Sequence, residues 1–182
     1  MLFISDIHGS APALEQALQW YQNLQCNTLI VLGDILNHGP RNPLPTGYDP
    51  QTVASLLNQY ADRIIAVRGN CDSEVDQMLC HFPLMADYNW LLINNRRLLL
   101  THGHLWPSDV LPPMRAGEGI ASGHTHLPMA QWQEGLLRFN PGSITGPKAG
   151  NPPSFGYFDG RYFSVRTLAE GTVLAQADWN AA

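Results

Sequence analysis

Seven side chains of metal-binding type stand directly after apolar segments of the sequence. Each of the five segments (2–8, 29–34, 64–70, 98–102 and 120–126) begins with residues typical of a β-strand. The seven side chains are Asp6, His8, Asp34, Asn70, His102, His124 and His126. In open α/β sheets, sites lie outside the carboxyl ends of the strands, so these groups are predicted to converge there. Their number and types suit a pair of divalent metals.

The ordered set of motifs is a much stronger signal than any of its members. Asp6-Ile7-His8 is a short pattern that occurs often by chance, and a single histidine is more often structural than a ligand. Thr101-His102 and Gly123-His124-Thr125-His126 are stronger because each follows an apolar strand. Side chains two residues apart in an extended backbone point the same way, which predicts that Asp6 and His8 share one metal.

The pattern of apolar residues predicts two sheets. Strand-like segments at 2–5, 28–32 and 63–67 alternate with two helical patterns, and this order favours a parallel sheet. Eight short strand candidates follow from Tyr88 onward, which favours a second, antiparallel or mixed sheet packed on the first. Proline and glycine in segment 39–50 predict an ordered loop beside the site, either a specificity loop or a surface excursion.

Composition sets the class of protein and of partner. A chain of 182 residues that is 45% hydrophobic predicts a single domain over residues 1–182. The net charge of −5 and the single lysine, Lys148, argue against nucleic acid as a partner. The three cysteines have neither disulfide-framework nor zinc-finger spacing. With no signal peptide and no apolar stretch of membrane length, a cytoplasmic location without a membrane partner is predicted.

Taken in order, the motifs resemble the calcineurin-like metallophosphoesterase family over essentially the whole chain. Segments 33–42 and 67–78, with Asn140-Pro141-Gly142-Ser143, are similar to a subgroup of small bacterial phosphodiesterases. The fold that this resemblance implies is a four-layer α/β/β/α sandwich of two mixed sheets. It also implies ligands for metal one (Asp6, His8, Asp34 and His126) and for metal two (Asp34, Asn70, His102 and His124), with Asp34 bridging.

The resemblance implies a metal-dependent phosphodiesterase acting on small phosphodiesters. A hydroxide that bridges the two metals would attack phosphorus in line, with Asp34, Asn70 and His102 as the catalytic residues and no covalent enzyme intermediate. A mixed nitrogen and oxygen ligand set suits Mn²⁺, Fe²⁺, Co²⁺ or Zn²⁺ better than Mg²⁺ or Ca²⁺. We expect two Mn²⁺ ions as the cofactor.

One position departs from the family's usual motif. Cys71 stands where the family has a histidine that contacts the phosphate and can assist the leaving group. A thiol is a poor hydrogen-bond donor, so a preference for activated diesters over monoesters is predicted. The predicted substrate-binding residues are Cys71, His38 and Arg41.

Two other functions remain open from the sequence. One is a phosphomonoesterase or nucleotidase on the same site. The other is a non-catalytic interaction scaffold, the role of a eukaryotic retromer subunit that resembles this fold. The intact set of seven ligands favours the enzyme. The physiological phosphoester, the native metal and whether the chain forms a homo-oligomer are left open.

Overall fold

The computed structural model of the protein describes residues 1–106 and 110–181. Within them, eleven strands and three α-helices follow one another along the chain. Their order is β1 (Leu2–Ile4), α1 (Ala11–Asn23), β2 (Leu29–Val31), α2 (Pro50–Asn58), β3 (Ile64–Ala66), α3 (Glu74–Leu79), β4 (Tyr88–Ile93), β5 (Arg96–Thr101), β6 (Gly119–Ala121), β7 (Met129–Gln133), β8 (Leu136–Asn140), β9 (Ser154–Phe158), β10 (Tyr162–Thr167) and β11 (Val173–Asp178). Each of the eleven predicted strands is found.

The first sheet has six strands in the order β11-β10-β9-β1-β2-β3. β1, β2 and β3 are parallel, as the alternation of strands and helices predicted. β9 pairs antiparallel with β1, so the last three strands extend this sheet. Their placement corrects the prediction that every strand after Tyr88 belongs to a second sheet. The apolar pattern identifies a strand, but it does not tell which neighbour the strand pairs with.

The second sheet has five strands in the order β4-β5-β6-β8-β7, of which β5, β6 and β8 are parallel. The two sheets pack face to face through an aromatic core, in which the ring of Phe139 on β8 lies 5.2 Å from Phe3 and 5.1 Å from Phe163 of the first sheet. The prediction of two mixed sheets in an α/β sandwich is confirmed. Both sheets end their parallel strands at the same edge of the molecule, where the candidate ligands follow.

The three α-helices pack on the first sheet, and all three come before the strands of the second sheet in the sequence. Leu14 and Leu18 of α1 and Leu57 of α2 are buried against Leu2 and Leu29. Pro50 is the first residue of α2, so the predicted loop ends one residue earlier, at the N-cap Asp49. α3 begins with a capping box that the sequence analysis did not predict. In the described part of the chain no helix follows β4, and no helix is long and apolar enough to cross a membrane.

Candidate metal centre

Side chains from both sheets converge on one cleft. The Asp6 Oδ1 atom lies 3.2 Å from His126 Nε2 and 3.9 Å from His8 Nε2. The Asp34 Oδ2 atom lies 3.5 Å from His102 Nε2 and 3.8 Å from His8 Nε2. Two of the compact groups that could hold a cation are therefore Asp6-His8-His126 and Asp6-Asp34-His102.

Asn70 and His124 complete the predicted set in different ways. The Asn70 Oδ1 atom lies 3.2 Å from His102 Nε2, while its Nδ2 donates to Cys71 Sγ, so the carbonyl oxygen faces the cluster. The His124 ring packs 5.1 Å from the His102 ring and lines the cleft. No His124 nitrogen belongs to the compact ligand groups found among residues 1–106 and 110–181. Six of the seven predicted ligands thus meet, and His124 stands beside them.

The hydrogen bonds of three histidines leave one ring nitrogen of each for a ligand. The Nδ1 atoms of His8, His102 and His126 lie against the backbone carbonyls of Asn37, Leu32 and Gly146. Such contacts fix the tautomer of a metal-binding histidine and turn its Nε2 lone pair toward the metal. The buried Asp6 Oδ1 and His8 Nε2 atoms have no hydrogen-bond partner. Buried polar atoms left unpaired beside other ligand atoms fit a bound divalent cation.

The backbone at the ligands is not extended. Five of the seven predicted ligands have positive φ, between 49° and 64°, namely Asp6, His8, Asp34, His124 and His126. The reason given above for Asp6 and His8 sharing a metal, an extended backbone, was therefore wrong. β1 ends at Ile4, and left-handed residues bring both side chains into the cleft. Non-glycine residues in this conformation cost free energy and concentrate at functional sites.

A buried carboxylate ties together the loops that carry Asp34 and Asn70. The Asp72 side chain accepts hydrogen bonds from the backbone N–H groups of Asp34 (2.8 Å), Ile35 (2.7 Å) and Gly69 (2.7 Å). Burial raises the pKa of the Asp72 carboxyl to about 6, although these three amides favour its charged form. Its partners are backbone groups, which no sequence motif reveals.

Electrostatics set the protonation of the groups in the cleft. Burial by itself raises the pKa of Asp34, but the hydrogen bond and charge of His102 and the Cys71 amide lower it below its usual range. Burial lowers the pKa of His102, but the hydrogen bond to Asp34 and the charges of Asp6 and Asp34 raise it to about 9 in the absence of metal. Burial and the neighbouring Asp34 raise the pKa of the Cys71 thiol to about 12, so it is neutral at physiological pH.

The cleft has a volume of about 720 Å³ and is positively charged at its rim. Arg41 and Lys148, which both line it, are exposed and supply that charge. Cys71 lines it as well, as predicted. His38 is not among the lining residues, and its ring packs edge-on against Tyr48 at 5.3 Å.

The sequence analysis missed two residues of the cleft. Asn37 and Lys148 line the cleft, and only Lys148, in the loop after Asn140-Pro141-Gly142-Ser143, carries a signal that could have indicated it. Arg68, close to Asn70 in the sequence, forms a salt bridge at 2.6 Å to Asp87. The His104 ring lies 5.3 Å from the His102 ring, near the candidate second metal position.

Comparison with known proteins supports this geometry. The profile of the calcineurin-like phosphoesterase superfamily domain matches residues 1–161. Phosphodiesterase YfcE of Escherichia coli is 49% identical over 180 residues, which are 99% of this chain and 98% of YfcE. A solved structure of the E. coli phosphoesterase Yfce has a TM-score of 0.97, with 98% of both chains covered.

More distant proteins share the fold. YsnB of Bacillus subtilis, named a probable metallophosphoesterase, is 26% identical over 162 residues, which are 85% of this chain and 80% of YsnB. Vacuolar Protein Sorting 29 of Cryptosporidium parvum is 20% identical with a TM-score of 0.63, and the match covers 97% of this chain and 95% of that one. At that identity the second likeness shows the fold alone.

Proposed function

This chain belongs to the calcineurin-like phosphoesterase superfamily, and from that premise we propose that it is a phosphodiesterase with two Mn²⁺ ions that hydrolyses small phosphodiesters. The resemblance inferred from the sequence motifs is confirmed. The observation that carries the proposal is the convergence of Asp6, His8 and Asp34 with ligands from the second sheet, around buried atoms that lack partners. The function of YfcE, 49% identical over the whole chain, agrees with it.

The proposed ligands divide between two positions. Asp6, His8 and His126 would hold one divalent metal, and Asn70, His102 and His124 the other. Asp34 would be shared, because its Oδ2 lies near both His8 and His102. Metals held in such a pair lower the pKa of water and neutralise charge on phosphoryl oxygens.

The chain's own residues have binding and positioning roles in this proposal. Arg41 and Lys148 attract the anionic diester to a protein whose net charge is −5. His8, His102 and His126 are held in one tautomer by their carbonyl contacts, so their Nε2 atoms stay unprotonated toward the cleft when metal is bound.

Cys71 supports the preference for diesters. In the metal-free protein its pKa is raised to about 12, first by burial and then by Asp34, so the thiol is neutral there. A neutral thiol is a weak hydrogen-bond donor and gives little help to a poor leaving group or to the second negative charge of a monoester. Diesters carry one charge fewer on phosphorus oxygens and depend less on such a donor.

The first test is hydrolysis by metal-stripped protein with and without added Mn²⁺. We expect Mn²⁺ to restore turnover of bis(4-nitrophenyl) phosphate and to restore much less turnover of 4-nitrophenyl phosphate. Greater turnover of the monoester would favour the phosphomonoesterase alternative. No turnover with Mn²⁺, Fe²⁺, Co²⁺ or Zn²⁺ would overturn the catalytic proposal and favour an interaction scaffold of the same fold.

A second test addresses substrate preference through Cys71→His. This change restores the donor that the family's usual motif supplies, so we expect the ratio of diester to monoester turnover to fall. The matched control is Cys80→Ser, a buried cysteine outside the cleft, which should leave the ratio unchanged. An unchanged ratio in Cys71→His would refute the role given to Cys71.

The proposal also places the protein in the cytoplasm. Its three cysteines, Cys26, Cys71 and Cys80, are free thiols, which suits a reducing compartment. Detection of the full-length chain in fractionated cells would test this placement.

A further inference from the structure

A second cavity of about 340 Å³ lies behind the metal centre. It is bounded by Gly103, Trp106 and Leu111, by the loop that carries His124 and by the strands β6, β7 and β8. Its walls are mostly apolar and include Trp106, Leu111, Ile120, Leu127 and Met129. His124 borders both this cavity and the catalytic cleft, so the two spaces are neighbours. Small-molecule sites are typically cavities of roughly this size, apolar with a few polar groups.

The strand register places one cation in this apolar space. Leu137 and Phe139 of β8 are buried between the two sheets, so Arg138 projects from the opposite face. There Arg138 is registered with Ile120 of β6 and Gln131 of β7. Arg138 lines the cavity together with Ile120.

Arg138 has a buried hydrogen-bond donor without a partner in the described part of the chain. Its Nε atom is buried and has no hydrogen-bond partner. Arg68, Arg97 and Arg161 pair with carboxylates at 2.6–2.8 Å, whereas no such pair to Arg138 is found among residues 1–106 and 110–181. A partly buried guanidinium with an unpaired Nε donor is costly, and its fork of donors matches a carboxylate or sulfonate.

We propose that this cavity is a binding site for a small aromatic or otherwise apolar molecule that carries one carboxylate or sulfonate. The anionic group would accept hydrogen bonds from Arg138, and the apolar body would lie against Trp106, Ile120 and Met129. The volume of about 340 Å³ admits a ligand with two or three aromatic rings. This site does not depend on the catalytic proposal, because none of its apolar walls is a candidate metal ligand.

The test uses 8-anilinonaphthalene-1-sulfonate as a probe, titrated by fluorescence into the Mn²⁺-loaded full-length chain. We expect saturable binding of one probe per chain. Arg138→Met should weaken binding by about tenfold or more, the size of a lost hydrogen bond to a charged group. Arg138→Lys, which keeps the charge, should weaken it less. The neutral analogue N-phenyl-1-naphthylamine should bind the wild type and Arg138→Met equally.

Two control variants locate the probe. Arg161→Met removes an exposed arginine that pairs with Asp178, and it should leave probe affinity unchanged. Arg41→Met changes the catalytic cleft, and it should also leave probe affinity unchanged. Thermal unfolding and Mn²⁺ stoichiometry would show that each variant is folded. Equal affinity of wild type and Arg138→Met, or an equal loss in Arg41→Met, would overturn the proposal.

Discussion

The two halves of the candidate metal centre are held in place by different kinds of contact. Ligands from the first sheet sit on loops that bond to one another along their backbones, with Asp6 N donating to Gly33 O and His8 N to Asp34 O. Ligands from the second sheet depend on contacts that cross between sheets or to a distant loop. His102 Nδ1 contacts Leu32 O, and His124 N donates to an oxygen of Asp6.

The two halves of the site are therefore positioned by different features of the fold. The first half is set by the register of adjacent parallel strands and by Asp72, which lies within it. The second half is set partly by how the two sheets dock, because His102 and His124 are anchored on the first sheet. It is also set by Asn140 of β8, which holds the loop of His124 and His126 from within the second sheet. We therefore expect a change inside the first half to disturb both metals, and a change at an anchor of the second half to have a smaller effect.

The largest effect is expected for Asp34→Asn, since Asp34 faces both halves. Loss of its charge should lower Mn²⁺ affinity by more than about a hundredfold, beyond the ten- to hundredfold typical of residues that only support a ligand. Calorimetric titration of metal-stripped protein measures this. Asp87→Asn, at an exposed salt bridge, is the matched control. Binding of two Mn²⁺ ions with unchanged affinity would show that Asp34 is not shared.

Asp72→Asn should have the next largest effect. An asparagine offers one acceptor oxygen where Asp72 accepts from three amides, so at least one buried N–H loses its partner. The free energy of unfolding should fall by about 1–3 kcal/mol, and Mn²⁺ affinity by about ten- to hundredfold. Urea unfolding and calorimetry measure the two quantities.

Asp76→Asn is the control for that experiment. Asp76 is a comparably buried aspartate that closes the capping box of α3 and touches no candidate ligand. It should cost about 1 kcal/mol of stability and leave metal affinity unchanged. If Asp72→Asn behaved in the same way, Asp72 would stabilise the fold without positioning the first half of the site.

The second half is tested by Asn140→Ala. The Asn140 side chain donates to Gly123 O at 2.8 Å and to Thr125 Oγ1 at 3.0 Å, so it holds the loop of His124 and His126. We expect Mn²⁺ affinity to fall by about tenfold, less than for Asp72→Asn. Asn151→Ala, which removes an exposed asparagine contact, is the control. A larger loss than in Asp72→Asn would reverse the ranking of the two halves.

The sequence predicted which residues meet better than it predicted how they meet. The apolar pattern located all eleven strands, and the polar residues that follow five of them located the six ligands that converge. Which strands pair with each other was harder to predict, because β9 pairs with β1 although the two strands lie far apart in the sequence. No sequence feature indicated the left-handed φ of Asp6, His8 and Asp34, since non-glycine residues rarely adopt this conformation. Supports such as Asp72 act on backbone amides, which are present in every sequence.

The smallest effect is expected far from the metals, at the start of β6 in the second sheet. There Glu118 accepts from Arg97 Nε at 2.7 Å, Arg97 Nη2 at 2.8 Å and the Arg115 amide at 2.9 Å. The hydrogen bond from Arg97 is the main cause that holds the pKa of Glu118 below its usual range. Because Arg97 is partly exposed, Glu118→Gln should cost only about 1 kcal/mol at pH 7 and leave Mn²⁺ affinity unchanged.

The pH dependence of that cost follows from the sign of the shift. A carboxyl whose pKa is lowered by folding stabilises the folded state above its unfolded pKa of about 4.3, and this contribution is lost as pH falls through the folded value. Urea unfolding of wild type and Glu118→Gln should therefore differ at pH 7 and at pH 5, and the difference should shrink as pH falls below about 4.3. A constant difference over this range would mean that shape, not charge, accounts for the contribution of Glu118. A loss of Mn²⁺ affinity would mean that the second half of the site extends along β6 to this end of the sheet.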